Sequence, residues 1–459
     1  MVRILAWWGV FALMQTLLAP DSQASAGPQS IAERVREAIL ENGLKVIVLP
    51  VTKAPVVTIQ IWYRVGSRNE RLGLTGLSHL LEHLMFKETD KLAPEEYSKI
   101  IQANGGEVNA FTSSDSTTYF ETLSSDRLSL VLDLEADRMA NLKLREETFE
   151  PEKRVVMEER RLRSVDNPWG ALYEETFSAA FRAHPYMWPV IGWMSDIEFS
   201  RLEDLKAHYE TYYRPNNAVV VIVGNVEPDA AIGEVRRAFG GVPAGPQPRA
   251  VTSVEPPQVG ERRVFVKKEA NLPAVLWTYK VPNLSSPDSY ALEVLATILS
   301  DGDSSRLYRR LVIEKRLLLD VSADNPFSSV DPSLFSITGQ VLPDKKVQDV
   351  ETVLENELKT LASTPVSERE LEKAKNQIEA QFVFAQDSNF YQGMLLGRFE
   401  MCGGWRSLDS YPSEIQKVTA ADVQRVAGEY LVPDRRTAAI LVPTGPAKHP
   451  VAPPSGMLH

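Results

Sequence analysis

The hydrophobic pattern begins with an apolar run from Ile4 to Ala19, preceded by Arg3 and followed by Ala24-Ser25-Ala26, an A-x-A cleavage site. It predicts a secretory signal peptide over residues 1–26. The run has 16 residues and contains Gln15, short for a membrane span, so no stable membrane insertion is expected once it is removed. Residues 31–40 lead to the turn dipeptide Asn42-Gly43, and residues 44–50 and 56–65 then read as strands. A leucine-rich helix is predicted over 76–86 and a more polar one over 94–103. Asn104-Gly105-Gly106 turns the chain into two further strands, 107–113 and 116–123. Helices follow over 128–142, over 149–162 with Pro151 near its first turn, and over 168–181; the wholly apolar 219–223 closes this half as a buried strand.

Pro243, Pro246, Pro248, Pro256 and Pro257 then mark a linker too rich in proline for a regular element. Beyond it the plan recurs, with strands over 263–267 and 274–281 and a helix over 288–299. Ile197, Asp204, Tyr212 and Pro215 match Ile415, Asp422, Tyr430 and Pro433, every pair 218 positions apart. Repetition on this scale means two homologous domains. The fold class expected is α+β, two homologous domains each sandwiching an antiparallel sheet with helices. The boundaries are 27–242 for the first, 243–260 for the linker, 261–445 for the second, and 446–459 for a tail.

Composition narrows the function. Hydrophobic content of 44% with 24% charged residues suits a soluble globular protein, and 459 residues can bury two or three cores. The net charge of −11 argues against nucleic acid as a partner, since phosphates would be repelled. Cys402 is the only cysteine, so no intramolecular disulfide can form even in an oxidising compartment; it is expected to be a small buried residue. With the signal segment, this places the mature chain in a periplasm or outside the cell.

The chemistry concentrates in the leucine-rich helix. His79, Glu82 and His83 fall at i, i+3 and i+4, on one face, while Leu77, Leu80, Leu81 and Leu84 can pack beside them. Two imidazoles one turn apart can chelate one metal ion, and a carboxylate between them can take a proton from water polarised there. The order His-x-x-Glu-His inverts the commoner zinc-protease motif. A zinc site needs a third protein ligand, and the 149–162 segment offers one: Glu152 and Glu159, seven apart, face the same way. Glu158 competes for that role.

At these residues the chain resembles the pitrilysin/insulysin family of zinc peptidases, which includes the mitochondrial processing peptidase. The family carries the inverted motif and, about 70 residues later, a Glu-Arg-x-Val-Val-like helix with two acids seven apart; here about 75 residues separate His83 from Glu159. The resemblance covers essentially the whole mature chain. It implies Zn²⁺ held by His79, His83 and Glu159, with Glu152 orienting a ligand histidine. It implies Glu82 as general base in the hydrolysis of peptide substrates. Asn109, Ala110 and Phe111 resemble the family's edge strand, on which substrate is laid as an added β-strand. Family members pair such two-domain units as the halves of a clamshell. The second half repeats Leu292, Glu293, Val294 and Leu295 at the corresponding helix without a histidine, so only the first domain is expected to hold metal. His184 and His208 are expected to be structural or surface residues, and His449 and His459 sit in the proline-rich tail.

Two other functional classes are compatible with the chain. One is a non-catalytic peptide-binding or core subunit of the same fold; the other is a metal-storage or sensor protein, which would not need Glu82. There is also a departure. Active single-chain relatives carry, after a Ser-Ser-Arg-Leu stretch, an Arg and a Tyr seven apart that reach the substrate carbonyl. Ser304-Ser305-Arg306-Leu307 is present, but the two positions are Ile313 and Asp320. The resemblance therefore implies a partner: a homologous subunit that lacks the zinc motif and supplies the Arg/Tyr pair. Otherwise Arg306, Arg309 or Arg310 would have to substitute.

Overall fold

The computed structural model describes residues 30–446. The proposed signal segment and the tail histidines lie outside the described residues. The first half runs α1 (Ile31–Arg34), β1 (Arg36–Ile39), β2 (Lys45–Pro50), β3 (Val56–Tyr63), α2 (Leu77–Leu84), α3 (Glu96–Ala103), β4 (Glu107–Thr112) and β5 (Thr117–Ser124). It continues through α4 (Leu128–Asn141), α5 (Glu146–Arg160), α6 (Pro168–Ala180), α7 (Met194–Phe199), α8 (Leu202–Tyr212), β6 (Ala218–Gly224) and α9 (Pro228–Phe239). Beyond the linker come β7 (Arg262–Lys268), β8 (Ala274–Val281), α10 (Asp288–Ser300), β9 (Leu318–Asp324), β10 (Ser333–Val341) and α11 (Val347–Ser363). The chain ends in α12 (Glu368–Ala385), α13 (Asn389–Cys402), α14 (Ser407–Lys417), α15 (Ala420–Tyr430) and β11 (Arg436–Pro443).

The strands form two sheets, ordered β1-β2-β6-β3-β5-β4 and β7-β11-β8-β10-β9. Setting β1 aside, the orders coincide element for element. Each sheet is antiparallel apart from one parallel pair, β2 with β6 and β7 with β11, because the last strand of each half returns beside the first after the whole helical layer. The 218-residue offset extends to element bounds: α8 and α15 begin and end 218 residues apart, as do the starts of β6 and β11.

The apolar runs are continuous because both faces of the sheets are covered. On β2, Val46 and Val48 pack under the helices of their own half, whereas Ile47 and Leu49 face α13 from the second half. Met394, Leu396 and Phe399 of α13 lie against Trp62, Val219 and Val221. The exchange is reciprocal: Trp169 and Leu172 of α6 pack on Val266, Leu276, Ala439 and Leu441 of the second sheet. Glu400 of α13, almost fully buried, takes Arg64 at 2.7 Å and Lys45 at 2.9 Å and so anchors the exchanged helix.

Three expectations are corrected. Helix α5 begins at Glu146, so Pro151 lies inside the helix rather than near its first turn. The extra turn is favoured by Glu146 and Glu147 at the positive end of the helix and by the burial of Phe149. The first half does not close at residue 223, because α9 follows. Its signals are an accepting Glu227 cap, Pro228 at the first position, and buried Ala231, Ile232, Val235 and Phe239. Cys402 is half-buried rather than buried, and its thiol donates to the carbonyl of Ser328 at 2.6 Å. Burial pushes its pKa up to about 12, which leaves it a poor nucleophile.

The exchanged helix approaches its sheet closely enough to require glycine. A Cβ on Gly397 would lie 2.1 Å from the Trp62 ring. Gly397→Ala should therefore destabilise the protein by about 1–3 kcal/mol. Gly233→Ala, where α9 leaves open space around the site, should be neutral or slightly stabilising. Chemical denaturation of the two variants checks this contrast, and equal stabilities would contradict it.

Candidate metal centre

Helix α2 is held at its start by hydrogen bonds and by backbone contact. Glu70 accepts the N–H groups of Gly76 and Ser78, both at 2.7 Å, and burial raises its carboxyl to about 8 against those two hydrogen bonds. Gly76 has φ +88°, and a Cβ there would sit 2.5 Å from the carbonyl oxygen of Ile191. Asp196 ties the preceding loop through the N–H groups of Gly73 and Thr75. Beneath the helix, His208 Nε2 meets Ser78 Oγ at 3.1 Å, and burial lowers its pKa to about 4, keeping the ring neutral. His184 is also buried, between Asp331 and the N–H of Tyr186. Both histidines are structural.

Leu77, Leu80, Leu81 and Leu84 are buried, and the polar face of α2 turns toward α5. There His79, His83 and Glu159 each present one ligand atom, all within 4.8 Å of one another. His83 Nε2 lies 3.3 Å from Glu159 Oε2, and His79 Nε2 lies 3.9 Å from Glu159 Oε1. Bonds of about 2.1 Å in a tetrahedral zinc site would separate ligand atoms by about 3.4 Å, so the donor set fits zinc with modest contraction. Glu158, the competing acid, points away and pairs with Arg161.

Glu152 lies one side of this cluster. Its Oε1 is 2.8 Å from His83 Nδ1 and its Oε2 is 2.9 Å from Lys87 Nζ. This holds the imidazole with Nδ1 toward Glu152 and Nε2 toward Glu159. The hydrogen bond with His83 lowers the Glu152 carboxyl to about 2 despite its burial, with Lys87 assisting. Burial alone would lower His83, but its hydrogen bonds to Glu152 and Glu159 raise it to about 9. Burial, then the neighbouring His83, lowers His79 to about 4. Arg163 reaches Glu159 Oε1, the oxygen nearer His79, at 2.9 Å from the π-helical turn Arg161–Val165.

Glu82 stands on the same face, between α2 and the inner side of β4. Burial raises its carboxyl above the usual carboxylate range, opposed by a hydrogen bond from Thr112 Oγ1 at 2.6 Å. Strand β4 is the outer strand of its sheet and pairs only with β5. Asn109 is exposed, with its side chain on the N–H of Ala110 at 2.9 Å, and Phe111 packs edge-on against Trp62 across the other face. The sequence reading passed over Thr112 and Lys87. Thr112 shares a strand face with Ala110, so period-two alternation was the available signal. For Lys87, i+4 from His83 and beyond the helix, there was none.

In the second half, α10 stands where α2 stands in the first. Its Glu293 is bonded to Asn325 Nδ2 at 3.0 Å and raised by burial to about 7. Ile313 is exposed, and Asp320 lies in β9. Arg306 is held by Glu370, Arg309 by Glu314, and Arg310 by Glu357 and Glu314.

Residues 45–192 match the family described as Insulinase (Peptidase family M16), and residues 201–378 match Peptidase M16 inactive domain. A zinc protease of Helicobacter pylori, PqqE, is 34% identical over 434 residues, covering 94% of this chain and 98% of that one. The chain belongs to peptidase family M16. An uncharacterized zinc protease of Mycobacterium leprae is 31% identical over 412 residues, covering 88% of this chain and 91% of the relative. The crystal structure of a protease from Helicobacter pylori superposes with a TM-score of 0.86 at 33% identity, covering 89% of this chain and 99% of the other. The M16 fold thus has its two homologous halves in this chain. No helix among the described residues is long and apolar enough to cross a membrane.

In the metal-free chain, the raised His83 contributes stability below the ordinary imidazole range and loses it as pH rises through about 9. The lowered Glu152 contributes above the ordinary carboxylate range and loses its part as pH falls toward about 2. A zinc ion held here would have to displace the His83 proton, whereas burial keeps His79 neutral at pH 7. Calorimetric zinc titration of the M16 chain between about pH 6 and 8 should release about one proton per ion, with affinity rising about tenfold per pH unit. Affinity independent of pH would contradict these states.

Proposed function

We propose that this M16 protein is a zinc-dependent endopeptidase that hydrolyses peptides or unfolded segments. One observation carries the reading: two imidazoles and a carboxylate converge beside a second, half-buried carboxylate on the inner side of an outer strand. His79, His83 and Glu159 would hold Zn²⁺, and Glu152 fixes the tautomer of His83. When bound, the ion supplies Lewis acidity, polarising the scissile carbonyl and lowering the pKa of water. Glu82 takes the proton from that water and returns it to the leaving amine. Asn109, Ala110 and Phe111 offer the backbone edge against which the peptide lies as an added strand.

In this reading residues 27–242 form the metal-binding domain, 243–260 the linker and 261–445 the metal-free homologous domain. Residues 1–26 are a signal peptide directing the chain to a periplasm or the exterior. The check is mass spectrometry of the exported form, expected to begin near Gly27; a membrane-bound chain retaining Met1 would contradict it.

Glu82→Gln preserves the side-chain volume but cannot accept a proton, so it should keep zinc and lose about 10²–10⁴ in turnover of a quenched peptide. His79→Ala, His83→Ala and Glu159→Ala should lose zinc itself. Full turnover by Glu82→Gln would remove it as base, and normal zinc content in Glu159→Ala would transfer the ligand role to another acid.

A second reading, a non-catalytic peptide-binding or core subunit, has one observation in its favour: Ile313 and Asp320 offer no guanidinium or phenol to a developing oxyanion. Arg306, Arg309 and Arg310 are already tied to acids of their own half, which supports a supply from outside the chain. We therefore propose a heterodimer with a homologous subunit that lacks the zinc motif and contributes the Arg/Tyr pair. Loss of one such donor typically costs about 10²–10³ in rate. Adding the partner should raise peptide turnover by at least that factor, whereas robust turnover by the isolated chain, unchanged by the partner, would contradict the proposal.

A further inference from the structure

Among the described residues the half-buried Glu82 has one hydrogen-bond donor at close range, the hydroxyl of Thr112 at the end of β4, 2.6 Å from Oε2. Thr112 is itself buried, 7% exposed. A threonine hydroxyl has one proton to donate. The competing acceptor, Thr117 Oγ1, faces it across the strand pair at 3.5 Å, and Thr117 directs its own proton to the carbonyl of Val65 at 2.9 Å. Geometry therefore commits the Thr112 proton to Glu82. At 2.6 Å this is a short hydrogen bond of the kind a charged acceptor makes.

We infer that Thr112 is a positioning residue for the base. By holding Oε2 it leaves Oε1 as the oxygen that takes up the proton, and it fixes the carboxylate against rotation. The inference rests on the zinc-peptidase reading with Glu82 as base, and goes beyond it in tying that base to the substrate strand. Ala110 and Thr112 alternate on the inner face of β4, while Asn109 and Phe111 alternate on the other. A peptide paired to the outer edge of β4 is thus registered against the same backbone that carries the hydroxyl. A displacement of that strand displaces the donor on Glu82 with it. Nothing in the His-x-x-Glu-His motif requires this threonine; the requirement arises from the packing of β4 against α2.

The test compares wild type with T112V, T112S and E82Q, each as the zinc-loaded mature chain with its partner subunit present, on one unstructured fluorogenic peptide. Zinc content and Tm are read alongside. Valine keeps the shape and removes the donor; serine keeps the donor. T112V should retain zinc, Tm and KM and lose kcat about 10- to 100-fold, with T112S returning to within about threefold of wild type. A crystal structure of the metal-free T112V chain, a readout independent of turnover, should show the Glu82 carboxylate turned out of its wild-type position. The inference is overturned if T112V keeps its kcat, if its loss follows zinc or Tm, if T112S is equally impaired, or if the carboxylate stays in place without the hydroxyl. Wild-type peptide turnover by E82Q would instead remove the base, and with it the reading on which this inference rests.

Discussion

His83 is gripped from both ring nitrogens by glutamates of one helix, Glu152 at 2.8 Å and Glu159 at 3.3 Å. The first half is arranged to make that contact possible. Ionisable groups in a largely apolar seam are costly unless paired, and removing one partner strands the other. The seam meets that cost by mutual pairing: Lys87 neutralises Glu152, Arg163 pairs with Glu159 Oε1, and His79 stays neutral. A divalent cation would take over the balance that His83 carries when protonated. The carboxyl of Glu70, the loop held by Asp196 and the close approach of Gly76 to Ile191 fix where α2 begins, and so where its histidines point.

The second half contributes support rather than ligands. Apart from β1, its sheet repeats the first in strand order, yet its helix α10 carries Glu293 bonded to Asn325, with no imidazole beside it among the described residues. What it gives the site is α13, packed on the face of the first sheet opposite the metal helices and anchored by Glu400. The first half returns the favour with α6. Each half covers the sheet of the other, so neither can be removed without exposing a largely apolar sheet face. The strand that would carry substrate is thus stiffened from behind.

Local signals in the sequence reached as far as the elements and the convergence of His79, His83 and Glu159. The spacing of His79, Glu82 and His83 announced one helical face, and Glu152 with Glu159 announced another, because both patterns lie within single helices. The 218-residue repeat revealed the two halves for the same reason. The exchange of α6 and α13 was not legible, since an apolar helix face does not say which sheet it will cover. Thr112 and Lys87 were missed because their partners lie across strand and helix boundaries. Pro151 was read as a start signal when the acids before it extend the helix by a turn, and α9 was overlooked although Glu227 and Pro228 announce it.

The central claim is that α2 and α5 bring two imidazoles and one carboxylate to a single zinc ion. X-ray absorption at the zinc edge of the purified, zinc-loaded protein addresses it most directly. We expect a four-coordinate shell of two imidazole nitrogens and light oxygen donors at about 2.0–2.1 Å, without sulfur. The His83→Ala protein should lose this shell together with its zinc. A six-coordinate, water-like shell, or one indifferent to His83, would contradict the claim.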